Sequence, residues 1–194
     1  MNIIDNDLLS MQEARILVEN AREAQKKLAT FPQEKLDEIV EAMAEEIEKH
    51  LMELAKMSNE ETEYGKWEDK YIKNHFVCKY LKSRLKDMKC VGIINEDKVN
   101  STMDVGVPMG VIIAFCPSTS PVSTTIYKAL ISIKSGNAII FSPHPRAKNT
   151  IFKTIDILIR AAERVGLPEG TLAYLHTVTK SGSLELMNHK DTSL

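Results

Sequence analysis

Two short apolar runs in this chain end abruptly in polar turns bracketed by proline, and those turns are where its chemistry should be sought. The first run and turn read Gly106-Val-Pro-Met-Gly-Val-Ile-Ile-Ala-Phe-Cys-Pro-Ser-Thr-Ser-Pro121, and the second read Phe141-Ser-Pro-His-Pro-Arg-Ala-Lys148. A strand that stops at a polar turn and opens into a helix is the unit on which nucleotide sites are built, and ligands of open parallel sheets bind outside the carboxyl ends of the strands. The candidate binding residues are therefore Pro117, Ser118, Thr119 and Ser120 in the first turn and Ser142, Pro143, His144, Pro145 and Arg146 in the second. Thr177 and Val178 join them from a third turn, His176 to Thr179. Pro117, Pro121, Pro143 and Pro145 restrict φ, so the backbone offered to a ligand is already stiff and loses little entropy on binding. No Gly-x-Gly-x-x-Gly follows any of these strands.

Other chemically tempting side chains have plainer readings. Cys116 stands at a strand's carboxyl end, where a nucleophile would be well placed, but a cysteine there is commonly a small buried hydrophobe. His75 and Cys78 share a helical turn with Asp69 and Lys70 nearby, yet no second cluster at ligand spacing completes a metal site. Arg146 and Lys148 either meet a phosphate or open a helix at the surface. Trp67, the single tryptophan, reads as a packing residue. Glu45-Glu46 and Glu60-Glu61 are no acid pair, because adjacent helical positions diverge.

The elements that must hold those turns follow from periodicity. From 108 onward the pattern is strand (109–115), helix (121–135), strand (138–142), helix (147–165), strand (172–176) and short helix (181–188), which predicts a parallel sheet with right-handed crossovers. Gly136 and Gly166 fall where helix carboxyl ends need a left-handed residue. Asp191-Thr-Ser-Leu194 reads as the opening of a fourth strand, so the sheet looks cut off in mid-construction with an edge exposed to association. Upstream, residues 8–86 read as helix. Asp7 caps a first helix with Ala14, Leu17, Ala21, Ala24 and Leu28 on one face, and Thr30-Phe-Pro-Gln33 fits a capping box. Leu36, Ile39, Val40, Met43, Ile47, Leu51 and Leu54 form the next apolar stripe, with Glu41, Glu45, Glu48 and Lys49 solvated. After a break at Gly65, Ile72, Phe76 and Tyr80 are expected to face inward, with Val77 and Leu81 as further candidates. Val91, Ile93, Met103, Val105 and Val107 flank the polar tip Asn95 to Ser101, a β-hairpin with too few residues for a core of its own.

Bulk properties exclude more than they assign. A length of 194 residues holds one ordinary domain, or one and part of another. The net charge of −2 and pI near 6.2 give no electrostatic reason to expect nucleic acid or an anionic membrane. The start, Met1-Asn-Ile-Ile-Asp-Asn-Asp, lacks the features of a signal peptide, and no apolar run reaches membrane-spanning length, so the reading is soluble and cytoplasmic. Cys78, Cys90 and Cys116 contain no Cys-x-x-Cys and indicate neither a disulfide framework nor zinc.

Several segments together resemble the N-terminal part of CoA-acylating aldehyde dehydrogenases. They are Glu61-Thr-Glu-Tyr-Gly65, Glu68-Asp-Lys70 with Lys73-Asn-His-Phe76, Val107-Pro-Met-Gly-Val111, Pro117-Ser-Thr-Ser-Pro121, Lys134-Ser-Gly-Asn137 and Phe141 to Lys148. The resemblance implies an aldehyde-dehydrogenase-like α/β fold: a helical segment (1–88), an oligomerisation-type β-hairpin (89–107) and the first half of a Rossmann-like NAD- and CoA-binding domain (108–194) with a truncated parallel sheet. It also implies an enzyme converting a small aldehyde, CoA and NAD (or NADP) to acyl-CoA, active as a homo-oligomer and carrying its nucleophilic Cys in a part absent from this chain, which alone should be inactive. Acetaldehyde dehydrogenases of bacterial microcompartments and the aldehyde half of bifunctional aldehyde–alcohol dehydrogenases both look similar. Val99 to Val107 lean towards the first, which brings in a protein shell as a partner, with the first helix as docking segment.

By the same resemblance, Thr119 occupies the position of the oxyanion-stabilising Asn of ordinary members. Its hydroxyl could donate one hydrogen bond, or the loop could adopt another conformation. Ser120 departs from the acylating branch's Asn. Ser142 and Pro145 replace the Lys and Glu that grip the adenosine ribose, which implies looser or CoA-shared nucleotide binding. A non-catalytic copy that binds nucleotide, or caps another subunit through the hairpin, is the alternative from a different class.

Overall fold

The computed structural model describes residues 5–194; Met1 to Ile4, part of the segment read as lacking a signal peptide, lie outside the described residues. Four helices come first: α1 (Asn6–Leu28), α2 (Gln33–Glu48), α3 (Leu51–Thr62) and α4 (Trp67–Leu85). A hairpin of β1 (Gly92–Asp97) and β2 (Thr102–Gly106) follows. The alternating part is β3 (Val111–Cys116), α5 (Pro121–Lys134), β4 (Ala138–Pro143), a 3₁₀ turn (Pro145–Ala147), α6 (Lys148–Arg164), β5 (Leu172–Tyr174) and α7 (Lys180–Asn188).

The sheet runs β3-β4-β5 with all pairs parallel, β4 in the middle. On the free side of β3, Val111 bridges Thr192 in parallel and Ile113 N–H donates to Leu194 O at 2.6 Å, so the expected fourth strand does begin there. Side chains alternate between faces along a strand. Accordingly Ile139 and Phe141 join α2, α3, α5 and α6 in the larger core, while Ala138 and Ile140 join Ala14, Val18 and Ala21 of α1 and Leu186 of α7 in the smaller. With cores on both sides, all six residues of β4 are buried, as a parallel strand between helical layers should be. The carboxyl ends of α5 and α6 close in matching Schellman geometry: Gly136 (φ 72°) and Gly166 (φ 92°) donate to Ile133 O and Glu163 O, and the next amides reach Ser132 O and Ala162 O.

Several local expectations are corrected. Asp5, not Asp7, caps α1, accepting from Asp7 N and Leu8 N at 2.9 and 3.1 Å. The capping box at Thr30 does not form: the hydroxyl donates backwards to Lys27 O, and Pro32 stands at the α2 cap without a side-chain bond. Gln33 is freed for another task. Its Oε1 accepts Cys90 N and Val91 N at 2.6 and 3.1 Å, and its Nε2 donates to Asp37 Oδ1 and Lys134 O, tying the hairpin root to α2 and α5. On α4 the inward face is not Ile72, Phe76 and Tyr80, which are 64%, 60% and 50% exposed. Lys70, Asn74, Cys78 and Leu85 face inward instead, while Val77 and Leu81, the further candidates, do pack partly buried against the core. The helix is apolar around much of its circumference, so periodicity alone could not choose the side.

Candidate functional site

The carboxyl ends of β3, β4 and β5 bring the three proline- and threonine-rich turns to one edge of the sheet, with His144 N–H donating to Cys116 O across the first two. Between the second and third lies an open pocket of about 480 Å³. Of the residues singled out in the sequence, Pro117, Ser142, Pro143, His144, Pro145 and Val178 line it. Phe115, Cys116, Thr179, Lys180 and Ser183 line it as well. Ser118, Thr119 and Ser120 sit apart on the turn into α5, Arg146 is exposed beside the pocket, and Thr177 is half-buried next to the lining residue Val178 without lining the pocket itself. Ser142, 3% exposed, meets Ser183 at 2.8 Å between hydroxyl oxygens, and Ser183 also bonds Thr179 O. His144 is held by its own backbone: its Nδ1 accepts Arg146 N at 3.1 Å, which leaves Nε2 as its other ring nitrogen for a partner. No carboxylate lines the pocket, and Lys180 brings a positive charge.

Each turn is fixed by a side chain from a distant helix. Glu61 of α3 places both carboxylate oxygens on the first amides of α6, accepting Asn149 N at 2.9 Å, Thr150 N at 2.8 Å and the Thr150 hydroxyl at 2.6 Å. That helix end is where a phosphate is ordinarily expected, and here an internal carboxylate already complements its amides and dipole. Glu13 of α1 does the same for the third turn, accepting His176 N at 2.5 Å and Thr177 N at 2.9 Å, while the Ser10 hydroxyl donates to Thr177 O. The first turn is held from behind by Lys70, whose Nζ donates to Thr119 O at 3.1 Å. Glu61 and Lys70 lie in segments that carried the family resemblance without a role attached to them. Glu13 had no local signal at all, because its partner is 163 residues away.

Cys116 is no nucleophile in this arrangement. It is 3% exposed, burial pushes its thiol up to about 11, and the hydroxyl of Thr125 at 3.2 Å only partly offsets that. Cys78 is pushed up to about 12 for the same reason, with Glu48 adding to it. Among the described residues no group of three His, Cys, Asp or Glu side chains is arranged to hold a metal ion. Trp67 packs under the Lys56 ammonium, 4.9 Å from the ring centroid.

A sequence model of the aldehyde dehydrogenase family matches residues 3–194. The bifunctional aldehyde-alcohol dehydrogenase of Escherichia coli K12 is 40% identical over 185 residues, which cover 95% of this chain and 21% of that protein. A crystal structure of an acetylating aldehyde dehydrogenase from Geobacillus thermoglucosidasius superposes with a TM-score of 0.95 at 42% identity, covering 98% of this chain and 42% of the other. A propionaldehyde dehydrogenase from the fucose utilisation microcompartment of Clostridium phytofermentans has a TM-score of 0.75 at 26% identity, over 90% and 40% of the two chains. The chain thus spans well under half the length of the relatives it matches. With a family match over nearly its whole length, it belongs to the aldehyde dehydrogenase family.

Proposed function

We propose that this chain supplies the first half of the nucleotide pocket of a CoA-acylating aldehyde dehydrogenase, an oxidoreductase that converts a small aldehyde, CoA and NAD to acyl-CoA and NADH. The observation that carries the reading is the pocket at the sheet's carboxyl edge. Its lining of hydroxyls, prolines and Lys180, without a carboxylate, suits the adenosine end of an anionic nucleotide. Pro117, Ser142, Pro143, His144, Pro145 and Val178 would contact that end. Ser118, Thr119, Ser120, Arg146 and Thr177 would border it, with Thr119 at the place of the oxyanion contact. When bound, NAD accepts hydride and CoA supplies the thiol that carries away the acyl group. The same lining suits the adenosine of NADP or CoA, so one pocket serves nicotinamide cofactor and co-substrate in turn. Residues 1–88 form the helical support, 89–107 the oligomerisation hairpin and 108–194 the binding unit.

Relatives named acetylating, or aldehyde–alcohol, dehydrogenase support the reaction class. A microcompartment setting rests on the more distant propionaldehyde dehydrogenase. Because Ala14, Val18 and Ala21 of α1 pack on the sheet and α7, docking to a shell through this helix would fall to its exposed Leu8, Leu9 and Ile16. None of Cys78, Cys90 and Cys116 is disposed to be the nucleophile, and the chain by itself should be inactive. The second reading, a non-catalytic subunit partner, draws on the exposed hairpin and the apolar outer face of α4.

Calorimetric titration of the chain with NAD, NADP and CoA tests the proposal. Saturable binding of NAD and CoA, each displacing the other and both weakened by Lys180→Ala, is the expected result. Absence of binding, together with co-purification of an intact dehydrogenase, would transfer the case to the subunit-partner reading.

A further inference from the structure

Lys70 pairs with no carboxylate among the described residues, yet it is 9% exposed on the first turn of α4. Near its ammonium stand the Tyr64 ring, 5.8 Å from its centroid, and Lys73, a second cation. Burial and that like charge hold its pKa below the ordinary lysine range. A buried ammonium without a carboxylate weakens a fold, and a methionine would fill the same space without the cost. What the charge does gain is one contact: the carbonyl of Thr119, 49 residues away. Locally the turn has only long hydroxyl contacts at Ser120, with Thr124 at 3.4 Å and Ser123 at 3.5 Å, and α5 begins at Pro121 without a side-chain cap bond. The neighbouring turns show the pattern from the opposite charge. Glu61 and Glu13 grip backbone amides of the second and third turns from α3 and α1.

We infer that Lys70 is a positioning residue for the Thr119 turn, a buried cation that grips the turn's backbone from behind and fixes how Thr119 and Ser120 are presented at the sheet's edge. The inference deepens the proposed function and takes the turn's importance from it. A lysine kept for packing and one kept for its grip differ in sign on stability: losing the first weakens the fold, whereas losing the second relieves a buried charge and frees only the turn.

The test compares the wild-type chain with Lys70→Met and Lys70→Arg by thermal midpoint, by amide exchange and by NAD and CoA titration. Lys70→Met should unfold at or above the wild-type temperature, while exchange in Ser118 to Ser123 rises roughly tenfold or more and that of β4 and α6 stays unchanged. Lys70→Arg, which keeps the charge and the donors, should restore the protection. A lower midpoint in Lys70→Met with faster exchange along α4 and α5 together would make Lys70 an ordinary packing residue and overturn the inference, as would unaltered exchange in the turn. If the local exchange result holds but the wild-type chain binds neither NAD nor CoA, the nucleotide reading falls and the grip on the turn stands.

Discussion

All six residues of β4 are buried, whereas β1 and β2 expose nearly every side chain on both faces. Ile93 and Val105 form a cross-strand pair that is still 54% and 56% exposed. The parallel sheet is held from within by apolar burial on two sides. The hairpin is held at its ends, by Gln33 on Cys90 and Val91 at the root and by Asp97 on Val99 and Asn100 at the tip. A two-stranded ribbon is marginal in water. One side chain of α2 therefore carries a disproportionate share of its placement.

The sharpest way to break this contrast is to truncate one side chain in each sheet. Phe141→Ala should cost roughly 3–5 kcal/mol in denaturant unfolding, since the ring is fully buried, and Val105→Ala should stay within about 0.5 kcal/mol. Similar losses at both would mean that the hairpin has a hidden core. Next in size, Gln33→Ala leaves two amides at the root without their acceptor and should cost about 1–3 kcal/mol. Amide exchange should then rise in residues 90–106 and remain slow in β4; a uniform rise would show that the two sheets unfold as one. The gentlest probe is thiol alkylation of the folded protein at mildly alkaline pH. Cys90 at the hairpin root is half-buried and should react first, although burial raises its pKa too. Cys116 and Cys78, pushed up to about 11 and about 12, should stay unmodified until unfolding.

The sheet and its helices were legible because their signals are local: β-branched runs, prolines closing strands, and Gly136 and Gly166 ending α5 and α6. The three turns of the site could be read for the same reason. Their supports could not. Glu61, Glu13 and Lys70 act on backbone groups 49 to 164 residues away, and nothing in their own neighbourhoods distinguishes them from surface charges. On α4 the stripe of Ile72, Phe76 and Tyr80 competes with Lys70, Asn74 and Cys78 for the inward face, and tertiary packing decides for the second. The capping box at Thr30 failed because Gln33 was needed at the hairpin.

The contact of α1 with the third turn also bears on the order in which the molecule can assemble. Glu13 and Ser10 find their partners in His176 and Thr177, Arg15 pairs with Glu185 of α7, and Arg22 pairs with Asp191. Helix α1 thus docks on residues more than 160 positions further along the sequence. Without them, Ala14, Val18 and Ala21 can still meet Val111, Ala138 and Ile140 of β3 and β4 but lack Leu175 and Leu186, while α2 to α6 close the larger core around the sheet's other face. Long sequence separation of this kind slows folding. The third turn should accordingly be the last of the three to acquire its final shape, after a stage in which α1 is only partly docked on the sheet.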